Sequence, residues 1–382
     1  MLRVFLAAVV AAIGGLSPAS SCPEPPTEVV VAACNARSFE KERADYVCLG
    51  TNDERVINAA LDRLVWGGTL RLADGDYFID GFEQEGNSAI LLGYNDGVTR
   101  VVTIRGTTES KIYGQARGAV LHVSKQAMSA MSTNGTYRVF YGAGRVPEGP
   151  GDTYTYTHVN NVNFINLIIR YHDASKPLIG IDGRHFGSME LDLVGIYTER
   201  YFPDRYQHLR PATPVRGSIG VYSVPGSNDE SARSRYNEVN VGGLYAGFVF
   251  DGVDHLVMSG CMGARCVYGY YFASGGPKTL TMINCCDEGN ARLPRFCGRG
   301  HLTAIDFNVE RFNADYIPLC PDEGEAGATE EEPGSWRGSI TYTLQGRAFG
   351  LGAGNAWAPG LFWAPGHGAG FRTVCLDGES GM

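Results

Sequence analysis

Lysine is almost missing from this chain. Five of the 382 residues are lysine, and arginine carries nearly all the positive charge against a formal net charge of −9. So acidic a surface is a poor match to a phosphate backbone, and no nucleic acid is expected as a partner. The ten cysteines and eight histidines include no Cys-x-x-Cys and no histidine pair at ligand spacing, so no zinc-type metal site is expected. Beyond the first two dozen residues no apolar run is long enough to span a bilayer, and no integral membrane span is expected. Long stretches of helical periodicity are missing too, which excludes helical-repeat and bundle architectures.

The one long apolar run lies at the start. Arg3, apolar Val4–Leu16 and small, polar Ser17–Ser21 read as an export signal over residues 1–21, making the mature protein secreted or periplasmic. Cys22 directly after Ala19-Ser20-Ser21 leaves a second expectation, a cell-surface lipoprotein anchored through Cys22. Export also makes disulfides plausible chemistry. A bridge such as Cys34–Cys48 would pin the leader, residues 22–50, to the body.

What the chain has in quantity is glycine, 51 residues, and a short phrase that returns. Leu256–Cys261, Leu280–Cys285 and Leu302–Phe307 repeat one pattern at steps of 24 and 22, and the same frame fits around Asn166, Asp192 and Asn240. The step of 48 between Asp192 and Asn240 is either a long insertion or a skipped turn. In a second row, Gly180-Ile181, Gly220-Val221, Gly247-Phe248 and Gly269-Tyr270 each follow the first phrase, as a second strand per coil would. Repeats near two dozen residues, rich in Gly, Asn and alternating apolar positions, predict an all-β solenoid: a parallel β-helix whose strands stack at about 4.8 Å. The competing arrangement, a β-sandwich, has no need of a repeated frame.

Ahead of the repeats, Thr51-Asn52-Asp53-Glu54 has the form of a capping box. It opens an amphipathic helix over 52–66, with Val56, Ile57, Ala60, Leu61, Leu64 and Val65 on one face and Gly67-Gly68 as the stop. Such a helix suits the open end of a solenoid core. Strands are expected at Thr69–Leu72, Tyr77–Ile79, Ala89–Leu92, Val101–Arg105 and Ala119–Val123. Gln126–Thr157 reads as a long excursion or an irregular coil, Glu199–Pro214 and Pro225–Arg235 as loops interrupting the coils, and 336–382 as a segment closing the far end. The domain is therefore a single one, 51–382.

The run Asn52-Asp53 … Ala59-Ala60-Leu61 … Gly67-Gly68-Thr69-Leu70-Arg71-Leu72-Ala73-Asp74-Gly75-Asp76-Tyr77 resembles the entry motif of pectate-lyase-like (pectin-lyase-fold) right-handed β-helix proteins. Thr103-Ile104-Arg105-Gly106 and Ile112-Tyr113-Gly114 resemble their early strands. Ala73 stands where that family prefers proline. The resemblance covers the cap closely and the coils by period, and it implies the right-handed fold. It leaves the reaction open, because the fold hosts lyases, hydrolases, epimerases, transferases and phage tailspikes. Some such proteins trimerise, so a homotrimer is admitted.

The register nominates the chemistry. Four residues past Asn284 and Asp306 stand Glu288 and Glu310, one row on successive coils. Two carboxylates about 5 Å apart at the backbone resist double ionisation, and a protonated acid beside an ionised partner is what glycosidic cleavage requires. Asp287 joins them as a catalytic candidate, and Arg265, Arg292, Arg311 and His301 are candidates to orient the pair or hold substrate. A salt-bridge ladder, Glu288–Arg311 or Arg265–Glu288, would use the same residues. Asp182, Arg184 and His185, with Tyr201 from the aromatic stretch that follows, form a second candidate set. A polysaccharide or oligosaccharide substrate is expected, cleaved by a glycoside hydrolase without cofactor. The alternatives are a polysaccharide lyase acting on a uronate, with calcium as a candidate cofactor, and a non-catalytic glycan-binding or structural β-helix.

Overall fold

In the computed structural model, the apolar residues two dozen apart stand one above another. The structure describes residues 25–82, 87–92, 100–108, 118–129, 135–142, 161–172, 176–183, 186–198, 214–223, 233–288, 290, 294–296, 299–310, 337–343 and 370–373. Among them every strand pair is parallel. The chain is an all-β parallel solenoid.

The chain enters through β1 (Glu28–Ala32), helix α1 (Ser38–Glu42), β2 (Tyr46–Val47) and helix α2 (Asp53–Leu61). The next coils are β3 (Gly68–Leu72), β4 (Gly75–Ile79) and β5 (Ser88–Leu92), then β6 (Val101–Gly106), β7 (Ala119–Val123), a short helix α3 (Lys125–Ser129) and β8 (Tyr137–Gly142). Two long strands follow, β9 (Asn161–Tyr171) with β10 (Leu178–Asp182), and β11 (Met189–Thr198) with β12 (Ile219–Ser223). After them come β13 (Arg233–Asn237), β14 (Asn240–Gly242) and β15 (Ala246–Asp251), then β16 (His255–Ser259), β17 (Met262–Ala264) and β18 (Tyr268–Gly276). The last described coils are β19 (Thr279–Ile283), β20 (Cys286–Glu288) and β21 (Arg295–Phe296), β22 (Arg299–Ile305) with β23 (Asn308–Glu310), β24 (Arg337–Thr343) and β25 (Gly370–Thr373).

Three strand positions recur in each coil. The first runs β1, β3, β6, β9, β11, β13, β16, β19, β22, β24, β25, and the second β4, β7, the later parts of β9 and β11, β14, β17, β20, β23. The third is a separate seven-stranded sheet, β5, β8, β10, β12, β15, β18, β21. From β9 to β22, each first strand turns into the second through one residue in the left-handed region: Asn166, Leu193, Glu238, Gly260, Asn284 and Asp306, with φ between 49° and 62°. This corner is the repeated phrase seen from the backbone. Asn, Asp and Gly tolerate it best, which is why the motif was legible at 260, 284 and 306. It falls on Leu193 and Glu238, one and two residues away from the expected Asp192 and Asn240. The gap of 48 is an insertion and no coil is skipped, because β11 pairs directly with β13 and β14.

The core is a set of vertical rows. One reads Val29, Leu70, Ile104, Phe164, Leu191, Tyr236, Met258, Met282, Ala304, all buried. Another reads Ile90, Phe140, Ile181, Val221, Phe248, Tyr270, with Phe248 and Tyr270 stacked at 5.2 Å between centroids. Successive strand residues face opposite sides, so each coil contributes one such side chain per row.

Three details correct or narrow the expectation. The segment taken as a leader supplies β1 and β2, and β1 pairs with β3 from Glu28↔Thr69 onward. Of the two readings of Gln126–Thr157, the irregular coil is the one that fits its described residues, which contain β8, joined to β5 and β10 through Phe140. Helix α2 starts at Asn52 without a side-chain cap bond, so there is no capping box. Asp53 and Glu54 turn inward instead: Asp53 accepts from the Gly50 and Phe78 amides at 3.0 and 2.9 Å, and Glu54 from the Asp80 amide at 3.1 Å. They tie the helix to β4. Helix α2 buries Ile57, Ala60 and Leu61, and it ends nine residues after it begins, short of the expected 66. The first two dozen residues, Cys22 among them, lie outside the described residues. Among the described residues no helix is long and apolar enough to cross a membrane.

Candidate functional site

The second strand position carries both glutamates. β20 pairs with β23 as Cys286↔Asn308, Asp287↔Val309 and Glu288↔Glu310. Asn284 and Asp306 occupy the corners just before, where the Asn284 amide donates to the Ile305 carbonyl at 2.8 Å. The two glutamates thus share one row on neighbouring strands. That row continues upward as Phe78, His122, Arg170, Tyr197, Gly242, Ala264, Glu288, Glu310.

Asp287 is separated from the pair by strand alternation. Glu288 is half-buried on the outer face, whereas Asp287 points into the coil and is buried. Gly263 precedes it in the row and packs against the Gly269 backbone across the coil, and the missing side chain of Gly269 leaves room for the carboxylate. A Cβ at Gly269 would meet the Asp287 carboxylate at 2.1 Å. Asn290 closes this interior polar group: its Nδ2 donates to Asp287 Oδ1 and to the Gly263 carbonyl, and its Oδ1 accepts from the Cys266 amide, each at 2.7 Å. Inward aspartate at this position is a packing element, reached from the sequence only by fixing the alternation.

Arg265 is exposed at a left-handed corner, φ 52°, with its amide donating to the Glu288 carbonyl at 2.9 Å. His301 is exposed in β22, paired with Thr279 and Ser339 at the first strand position, around the corner from Glu288. Asp182 lies on the third sheet, fully buried, and accepts from Arg138 Nε at 2.6 Å. The Arg138 guanidinium also sits over the Tyr141 ring at 5.1 Å. Asp182, His301 and the glutamate row are on three different faces, so the structure does not bring them together. Arg184, His185, Tyr201, Arg292 and Arg311 lie outside the described residues. Cys34 and Cys48 are free thiols in the structure.

A second constellation occupies the upper end of the glutamates' row. Asp76 Oδ1 and His122 Nε2 are 2.8 Å apart, and His122 Nδ1 and His172 Nε2 are also 2.8 Å apart. Asn35 holds the carboxylate from the far side, Nδ2 donating to Asp76 Oδ2 at 2.7 Å while its Oδ1 accepts from the Asp76 amide at 2.9 Å. The rings of Phe78, His122 and His172 stack at 5.3 and 5.0 Å. An ionised carboxylate only accepts, so His122 carries its proton on Nε2; its Nδ1 then accepts, and His172 donates from Nε2. Burial pushes the His122 imidazole below the usual histidine range, and Asp76 partly offsets this; His172 and Arg170 add to the lowering. Neutral His122 between Asp76 and His172 is the arrangement of a proton relay. Nothing in the spacing of residues 76, 122 and 172 announces it, since the steps of 46 and 50 span two coil lengths that the loops had stretched beyond the repeat.

Between the two constellations the outer face is closed: Val120, Ile168, Tyr197, Met262 and Ala264 form a buried apolar cluster of their own, with Cys286 against it. The relay and the glutamates are therefore separate places. Comparison with protein-family models, with curated proteins and with solved structures finds no match in any of the three.

Proposed function

We propose that this chain is a right-handed parallel β-helix, capped at its entry by α2, that cleaves glycosidic bonds in a polysaccharide with Glu288 and Glu310. The reading rests on one observation, the pairing of these residues on adjacent parallel strands. Strands at about 4.8 Å give the two residues a backbone spacing close to the roughly 5–5.5 Å that separates a nucleophile and an acid in retaining hydrolysis. Like charges so close share a proton. The protonated member delivers it to the leaving oxygen, and the ionised member attacks the anomeric carbon.

A second reading follows from the relay. In a uronate lyase His172 takes the proton next to the sugar carboxylate, its Nε2 proton moves to His122 Nδ1, and Asp76 balances the imidazolium; Arg170, one strand from His122 in the same row, faces the substrate's carboxylate. A polysaccharide panel read for new reducing ends and for ultraviolet absorbance separates the two. Hydrolysis at the glutamates predicts reducing ends without absorbance, lost at least a hundredfold in Glu288→Gln and in Glu310→Gln. Full activity in both variants refutes the glutamate site. An unsaturated product abolished by His172→Gln moves the reaction to the relay, and binding without cleavage leaves a glycan-binding solenoid.

A further inference from the structure

Cys261 and Cys285 occupy the same inner corner of two successive coils. Each follows a left-handed corner residue, Gly260 and Asn284, and the strands they lead into pair Met262 with Cys286. The interior row therefore reads Leu167, Val194, Val239, Cys261, Cys285, Phe307, all buried. The backbones are fixed on both sides. The Cys286 amide donates to the Cys261 carbonyl at 2.8 Å, and the Tyr270 hydroxyl reaches the Cys261 and Cys286 carbonyls at 2.9 and 3.0 Å. The Cys261 thiol lies 3.5 Å from the Tyr236 and Ser259 carbonyls and the Cys285 thiol 3.5 Å from the Ile283 carbonyl, and both cysteines are reduced in the structure.

We propose that Cys261 and Cys285 are a covalent modification site, a disulfide joining one coil to the next. In-register parallel neighbours have Cα atoms about 4.8 Å apart, inside the range of about 4.4–6.8 Å that disulfides span. Among the described residues, the two other cysteines of these coils face elsewhere. Cys286 points to the outer apolar cluster, and Cys266, past β17, keeps its thiol on the Ala264 carbonyl at 3.4 Å. The oxidant is a small-molecule or protein disulfide. Both cysteine S–H bonds break, one S–S bond forms, and the electron pair with the two protons converts the oxidant to two thiols. Neither sulfur touches solvent in the wound coil, so the exchange takes place as the coil bearing Cys285 closes over the one bearing Cys261. None of this depends on the glycan-cleaving reading.

The test is peptide mapping of the full chain produced through an oxidising compartment, denatured without reductant in iodoacetamide. The expected result is one species joining the Cys261 and Cys285 peptides, two hydrogens lighter than their sum and split by reductant. In Cys285→Ser, Cys261 becomes fully alkylated. Should production by that route give no folded protein, the same mapping applies to chain refolded from the reduced state in a glutathione redox buffer. Alkyl groups on both cysteines of the unreduced protein, or either cysteine joined to a different partner, overturn the proposal.

Discussion

Gly269→Ala tests the stacking at its tightest point. The added methyl lies 2.1 Å from Asp287 Oδ1 and 2.5 Å from Asn290 Nδ2, atoms 18 and 21 residues further along the chain that reach Gly269 only if the coils wind in this register. Overpacking of a filled interior costs about 1–3 kcal/mol. Pushing Asp287 aside also breaks its bond from Asn290, and a buried polar group left unsatisfied costs about 1–3 kcal/mol more. Their sum is about 2–6 kcal/mol, read as a lower urea midpoint with an unchanged slope. Asp287→Ala removes the closer of the two clashes and leaves the one with Asn290. In that background Gly269→Ala is expected to cost less than it does alone, by more than the roughly 0.3–0.5 kcal/mol within which independent sites add. Additive costs would refute the contact, and with it the register that places Asp287 beside Gly263.

His122 sets a pH dependence. Its folded value is lowered by burial, so protonation favours the unfolded chain. The stability it contributes is fully present above the ordinary histidine value of about 6.5 and drains away as the pH falls below it. Melting temperatures between pH 7.5 and 5 should fall, and His122→Asn should flatten the slope; an equal slope in the variant would remove His122 as the cause. Asp182→Ala leaves the largely buried Arg138 without its partner and is expected to cost about 3–5 kcal/mol in a denaturant titration. Adding Arg138→Ala should recover part of that loss, and no recovery would mean that the pair is not coupled.

The solenoid was legible because its corner is a backbone demand that few residues meet. A left-handed residue at the same place in the coils from β9 to β22 favours Asn, Asp and Gly, and in the later half, where coils are nearly equal, the steps of 24 and 22 carried the register to Glu288 and Glu310. The same counting drifted by one or two residues at Leu193 and Glu238. There neighbouring coils hold a corner in place even for residues that enter it less readily.

Chain order alone determined how far apart the repeated positions lie, and so that the strands are short, parallel and stacked. Which way a residue points was decided by the tertiary arrangement. Strand alternation sends Asp287 inward and Glu288 outward from adjacent positions, and Gly269 in another strand makes room for the buried carboxylate. The Asp76–His122–His172 relay belongs wholly to the folded state. Insertions of unequal length erase its period in the chain, whereas hydrogen bonding between strands, which counts coils and ignores loops, restores it in space.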